Sequence, residues 1–437
     1  MTTRSPSSTL RRGLARFAIP VGVAGVLLAG CAAADSTDSD TTTLTVWGSR
    51  GYYLTPEQVA VFTDANPDIK IEAEIVDTDD ILERMLRAKD AGQPLPDIIQ
   101  DDIFLLQAYK DAGLVVPIDD QVAAFEEDDP EAFADVLPIV WEEPTRDGEI
   151  MGAAVTANFD ILYYNEPWFA EAGVQPPFET YEDLYEATVA LKATRPDQIP
   201  FTVQALAGEG TTAFKTVLIG SGTPFDGATP DLLSPGGLYT IEWFQRMQAA
   251  DLLPPQAIAW GEAESRGAFV AGGGMIIDGF STAGDFVDIG NFDFGTAWGT
   301  TLMPIETGVS GTTTGARPTS SRMWSISSGV PEEKMDAAFE FIKFLSSPAY
   351  QIPQVLAGGV PPRNEAALNS PEVAEAWPFL TEEIKQGYLD SVGIPSALNA
   401  GDVELVLEQL WGEIVTGTDA TPEQLAEKYQ PQLDALG

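Results

Sequence analysis

The chain has 437 residues and a formal charge of −44, with one cysteine and no histidine. This inventory excludes internal disulfides, Ser-His-Asp and Cys-His nucleophiles, and His-ligated or multi-thiolate metal sites. The charge disfavours nucleic acid and anionic lipid surfaces as partners, while 44% hydrophobic residues describe a globular chain long enough for two or three domains.

Arg4, Arg11, Arg12 and Arg16 precede Phe17–Ala29, an apolar run that Pro20 and glycines interrupt. It is too short for a membrane span and reads as a signal-peptide core. Leu28-Ala29-Gly30-Cys31 then matches the bacterial lipobox and places the sole cysteine at its modified position. The expected mature chain starts at Cys31, lipidated on sulfur and on its amine, because stable anchoring takes two or more acyl chains. A plain secretory signal with a chance cysteine is the alternative. Without residues 1–30, 19 basic side chains face 67 acidic ones, a charge of −48. Residues 31–43 lack apolar periodicity and read as a flexible acidic tether.

From Leu44 the pattern becomes β-α-β-α-β-α. LTVW (44–47) is a strand. Thr55 to Gln58 is a capping box that opens a helix ending before Pro67. Ile69, Ile71, Ala73 and Ile75 alternate with charged residues, as a strand with one face on a core does. A helix over about residues 80–91 leads to the buried strand PDII (96–99). The order predicts a doubly wound α/β lobe, whose ligands sit beyond the carboxyl ends of the strands. Trp47 and Arg50 after the first strand, and Asp101 and Asp102 after PDII, are the candidates there. Either acid can instead cap the following helix, and neighbours at a strand end point opposite ways, so one of the two is expected to face a cleft.

Gly148 to Ala193 reads GEIMGAAVTANFDILYYNEPWFAEAGVQPPFETYEDLYEATVALKA: a strand at ILYY, a helix capped by Asn165 and stopped by Gly173, and a second helix capped by Thr180. The order G-x-A-V (152–155), LYYN, F-x-E-A-G-V-x-P-P, then T-x-x-D-L (180–184), resembles family 1 of the bacterial extracellular solute-binding proteins. PDIIQDD…AGLVVPID, FVAGGGMIIDGF (269–280), and MWSIS (323–327) with the downstream SSPAYQ…AGGVPPR are similar to that family's other motifs. The resemblance covers residues 44–437. It implies an α/β, two-lobed periplasmic-binding-protein-like fold of the Venus-flytrap type II, each lobe a doubly wound sheet flanked by helices and joined by a hinge. The implied lobes are 44–156 plus 304–358, and 157–303 plus 359–437.

It also implies that the chain crosses between lobes at Val155–Asp160, so Asn158 and Asp160 are cleft or hinge residues. Glu209 lies in the polar loop Gly208–Thr212, which is of the kind that lines a cleft and equally of the kind that enters a helix. Asp278 ends the strand MIID, and Phe280 follows a glycine turn where the family places an aromatic against a sugar ring, with a core role as the alternative. Trp260 sits in a loop where core packing is a weaker explanation. Arg322 and Arg363 are cleft candidates or inter-lobe ion pairs. Carbohydrate recognition calls for flat apolar faces and planar polar groups, which this set supplies. The function implied is carbohydrate capture, without cofactor or metal, for the transmembrane permease of an ABC importer. The protein is then a monomer at the outer face of the bacterial cell membrane, held by its lipid alone. A polyol, a peptide or an organic phosphate is the alternative solute. A cell-surface glycosidase would need a carboxylate pair at a defined separation, and the sequence cannot place one.

Overall fold

The computed structural model describes residues 41–48, 54–76, 78–208, 210–306, 315–357, 360–395 and 400–436. Cys31 with the expected leader and nearly all of the tether, Arg50 and Glu209 lie outside the described residues.

Among the described residues, nine strands share one mixed sheet: β1 (Thr42–Gly48), β2 (Ile69–Ile75), β3 (Ile98–Asp102), β4 (Ala153–Asn165), β5 (Phe201–Thr202), β6 (Met275–Gly279), β7 (Trp298–Thr301), β8 (Pro318–Ile326) and β9 (Val392–Gly393). Their order is β2-β1-β3-β8-β4-β6-β5, with β7 beside β4 and β9 beside β8. β1 pairs parallel with both β2 and β3, as the alternating helices α1 (Pro56–Ala65) and α2 (Thr78–Asp90) require. The capping box at Thr55 and Gln58 is formed, and Phe62 is buried.

The 13-residue β4 organises the molecule. Its half Ala153–Phe159 lies against β8. Its half Asp160–Asn165 lies against β6 and β7. One strand thus passes from a core holding Leu44, Phe62, Val155, Trp324 and Phe341 to another holding Leu162, Trp168, Trp243 and Trp411. ILYY is the second half of this strand rather than a short strand of its own. Ile161, Leu162 and Tyr163 are consecutive and fully buried, so this run has apolar packing on both faces. Asn165 Oδ1 accepts the Trp168 N–H at 3.0 Å and starts α3 (Glu166–Ala172), which Gly173 ends at φ +70°. Thr180 and Asp183 form a capping box for α4 (Tyr181–Thr194).

The second half of the chain adds α5 (Thr212–Gly220), α6 (Glu262–Val270), α7 (Met335–Leu345) and α8 (Ala400–Thr416). α7 buries Ala338, Phe341, Ile342 and Leu345, the stripe its sequence shows. Among the described residues no helix is long and apolar enough to cross a membrane.

Candidate functional site

A cavity of about 450 Å³ opens where the carboxyl end of β3 faces α5 and α8. Its volume lies within the range of small-molecule sites. Asp102, Phe104, Leu105 and Ala108 form one wall, and Thr211, Thr212, Lys215 and Ile219 form another. Phe225 and Ala228, from a hairpin that bends at Gly227, and Val403, Glu404 and Leu407 of α8 complete it. Ile394 and Pro395, just after β9, reach the same space.

The polar groups are held rather than loose. Arg322 Nη2 of β8 lies 3.3 Å from Asp102 Oδ2, and the two residues are paired across the sheet. Lys215 Nζ donates to Glu404 Oε2 at 2.8 Å, and the Thr211 hydroxyl donates to Glu404 Oε1. Every charge on the described lining therefore has an opposite charge beside it. Thr216, one residue past Lys215, donates its hydroxyl to Asp160 Oδ2 at 2.6 Å and ties α5 to β4.

Asp101 and Asp102 do point opposite ways. Asp101 is fully buried, accepting the Tyr109 hydroxyl and the Asp102 N–H. Asp102 makes no side-chain cap bond to the 3₁₀ turn Ile103–Leu105 that follows it, which removes capping as its role. Burial pushes the Asp101 carboxyl up to about 7, although both hydrogen bonds act the other way. Burial likewise raises Asp160 to about 7, with the Thr216 hydrogen bond opposing and the Asp278 charge adding. The folded chain holds the Asp101 proton more tightly than an unfolded chain, whose value is 3.8. Its contribution to stability is complete below pH 3.8 and is lost as the pH rises to about 7. Asp101→Asn is expected to flatten this decline and to be more stable than the parent at pH 8 by on the order of 1 kcal/mol. Melting temperatures from pH 4.5 to 8 test it, and parallel curves for parent and variant would contradict it.

Several predicted contacts take other places. Phe280 is fully buried, its ring 5.2 Å from Trp377 and 5.5 Å from Phe379, so it is a core residue and presents no face to the cavity. Gly279 before it has no positive φ; a Cβ there would strike the Asn158 side chain. Asn158 Oδ1 accepts the Ser281 N–H at 3.0 Å, a bond from β4 to the turn that follows β6. Asp278 is held by Arg266 of α6 through Nε at 2.7 Å and Nη2 at 3.0 Å. Arg363 is 1% exposed and donates to Glu143 at 2.6 Å and to the Ala154 carbonyl at 2.8 Å, which makes it an internal ion pair. Trp47 carries the Arg84 guanidinium 4.3 Å over its ring. The Trp260 ring packs on the core, and its carbonyl accepts the N–H groups of Ala205 and Leu206. Neither tryptophan lines the cavity.

Sequence reasoning missed Phe104, Lys215, Phe225 and Glu404. Phe104 follows Asp102 by two positions at the strand end, and Lys215 lies one helical turn past Thr211, so both had local signals. Glu404 meets Thr211 across 193 positions, and nothing local marks it.

A family model described as bacterial extracellular solute-binding protein matches residues 57–381. No curated protein matches the sequence significantly. Among solved structures, the cyclic α-maltosyl-1,6-maltose binding protein of Arthrobacter globiformis superposes with a TM-score of 0.74 at 19% identity, over 91% of this chain and 99% of that one. Maltose-bound MalE3 of T. maritima gives 0.71 at 20%, over 90% and 100%. UgpB of Mycobacterium tuberculosis, in complex with glycerophosphocholine, gives 0.72 at 14%, over 91% and 98%. The fold is thus that of the two-lobed periplasmic binding proteins.

Proposed function

The chain belongs to the bacterial extracellular solute-binding proteins, and from that premise we propose that it captures a neutral, hydroxyl-rich solute, a sugar or oligosaccharide, for the permease of an ABC importer. The observation that carries this reading is the paired charge of the cavity. Asp102 sits with Arg322, and Lys215 with Glu404, so the lining offers directed donors and acceptors without a net charge that would favour an anion. Phe104 and Phe225 supply the flat apolar faces on which C–H-rich sugar surfaces pack. The lobes are about 44–156 plus 304–358, and 157–303 plus 359–437, with β4 crossing between them. A solute that touches both lobes binds the closed state more tightly and shifts the hinge towards it, and that closed form is what the permease meets. Micromolar binding would correspond to about 8 kcal/mol. The protein binds without turnover and acts as a monomer, lipidated at Cys31 and held at the outer face of the cell membrane.

An organic phosphate is the competing solute, favoured by Lys215 and the first turn of α5 at the cavity wall. Thermal-shift screening of the chain against neutral saccharides, polyols and organic phosphates separates the two, with chromatography of each mixture. Stabilisation by saccharides without new products is the expected result. Stabilisation by phosphates alone, or release of products, would overturn it. Mass spectrometry of the membrane-expressed protein tests Cys31, where an acylated N-terminal cysteine is expected and an unmodified one contradicts the anchor.

A further inference from the structure

The loop that brings Thr211 and Lys215 to the cavity is fastened from behind. Glu408, one turn after Glu404 on α8, is 8% exposed and does not line the cavity. Its Oε1 accepts the Gly208 N–H at 2.6 Å, a contact between residues 200 positions apart. Gly208 has φ +94°, a conformation that L side chains rarely adopt, so the chain bends there. Gly210 closes the bend, since a Cβ on it would lie 2.6 Å from Ala205 Cα. The Trp411 indole of α8 donates to the Gln204 carbonyl at 2.7 Å, at the other end of the same loop.

A buried carboxylate facing a main-chain amide is costly to place, and a neutral acceptor would satisfy that amide as well. What the charge adds is a shorter, stronger bond that holds one loop geometry. We propose that Glu408 is a positioning residue: from outside the cavity it fixes the loop so that Thr211 and Lys215 face the solute, and it sets affinity by that route. This rests on the reading that the cavity is the solute site. Glu408 controls the order of the loop more than the stability of the fold, because the rest of α8 is anchored independently by Leu407, Leu410 and Trp411 in the core.

The test has two arms on the intact chain. In the first, hydrogen–deuterium exchange without any solute compares the parent with Glu408→Ala and Glu408→Gln. Exchange in the peptide from Val203 to Thr216 is expected to rise about tenfold or more in Glu408→Ala, and less in Glu408→Gln, whose amide oxygen still accepts the Gly208 N–H. Peptides of β1 and β3 should exchange as in the parent. Unchanged exchange in the loop, or an equal rise throughout the chain, overturns the proposal. In the second arm, calorimetry with maltotriose as the probe should show about tenfold weaker binding to Glu408→Ala, with partial recovery in Glu408→Gln. An affinity equal to the parent's, with a loosened loop, also overturns it. If the parent does not bind maltotriose, that saccharide is excluded as its solute, and the exchange arm still decides the role of Glu408.

Discussion

Arg363→Ala is expected to destabilise the folded chain by about 3–5 kcal/mol, read as a lower denaturant midpoint at an unchanged slope. The guanidinium and the Glu143 carboxylate are 1% and 9% exposed and lie 2.6 Å apart. Glu143 also accepts the Ser321 hydroxyl of β8 at 2.5 Å, while Arg363 donates to the Ala154 carbonyl of β4. The pair therefore ties β8 to the neighbouring first half of β4, and truncating the arginine leaves a buried, uncompensated carboxylate. Replacing both partners, with Arg363→Met and Glu143→Leu, should recover most of the loss, because an apolar pair of similar volume avoids the desolvation of two charges. A single variant that folds as well as the parent but loses solute affinity would instead place Arg363 in the binding site.

Phe280→Ala and Phe225→Ala are expected to have opposite signatures. Phe280 packs against Trp377 and Phe379 with no exposed surface, so its truncation should cost about 3–5 kcal/mol of stability. Solute affinity, measured under conditions where the variant is folded, should stay close to the parent's. Phe225 is partly buried on the cavity wall, at the edge of the core, so its truncation should cost the solute-free chain clearly less stability than Phe280→Ala does. It should weaken solute binding by about 1–3 kcal/mol, some 5- to 150-fold in Kd. Calorimetry of both variants decides it. Weakened binding in a fully folded Phe280→Ala, or unchanged binding in Phe225→Ala, would reverse the assignment.

Much of the fold was legible because local chemistry and tertiary structure agree. Thr55, Asn165 and Thr180 cap the helices they precede, and α7 buries the stripe its spacing marks. The long β4 was legible in two pieces: its second half by β-prone residues, its crossing by resemblance. The site was harder to read. Asp102 was found because a strand end predicts it, and the Gly208–Thr212 loop because glycines and hydroxyls mark it. Phe280 misled because a strand-end aromatic beside a glycine looks exposed until Trp377 and Phe379, about a hundred positions on, are seen to cover it. Arg322 and Arg363 look alike in sequence, yet one borders the cavity through Asp102 and the other is sealed against Glu143. Glu404 and Glu408 act on residues some 200 positions away, and only the folded chain brings them there.

The most direct test of solute capture in this cavity is a crystal structure of the chain with the saccharide that stabilises it most. The account predicts a sugar ring between the walls carrying Phe104 and Phe225, with hydroxyls at Asp102, Thr211 and the Lys215–Glu404 pair. A saccharide bound elsewhere on the chain, or a cavity that admits only an anionic solute against Lys215, would contradict it.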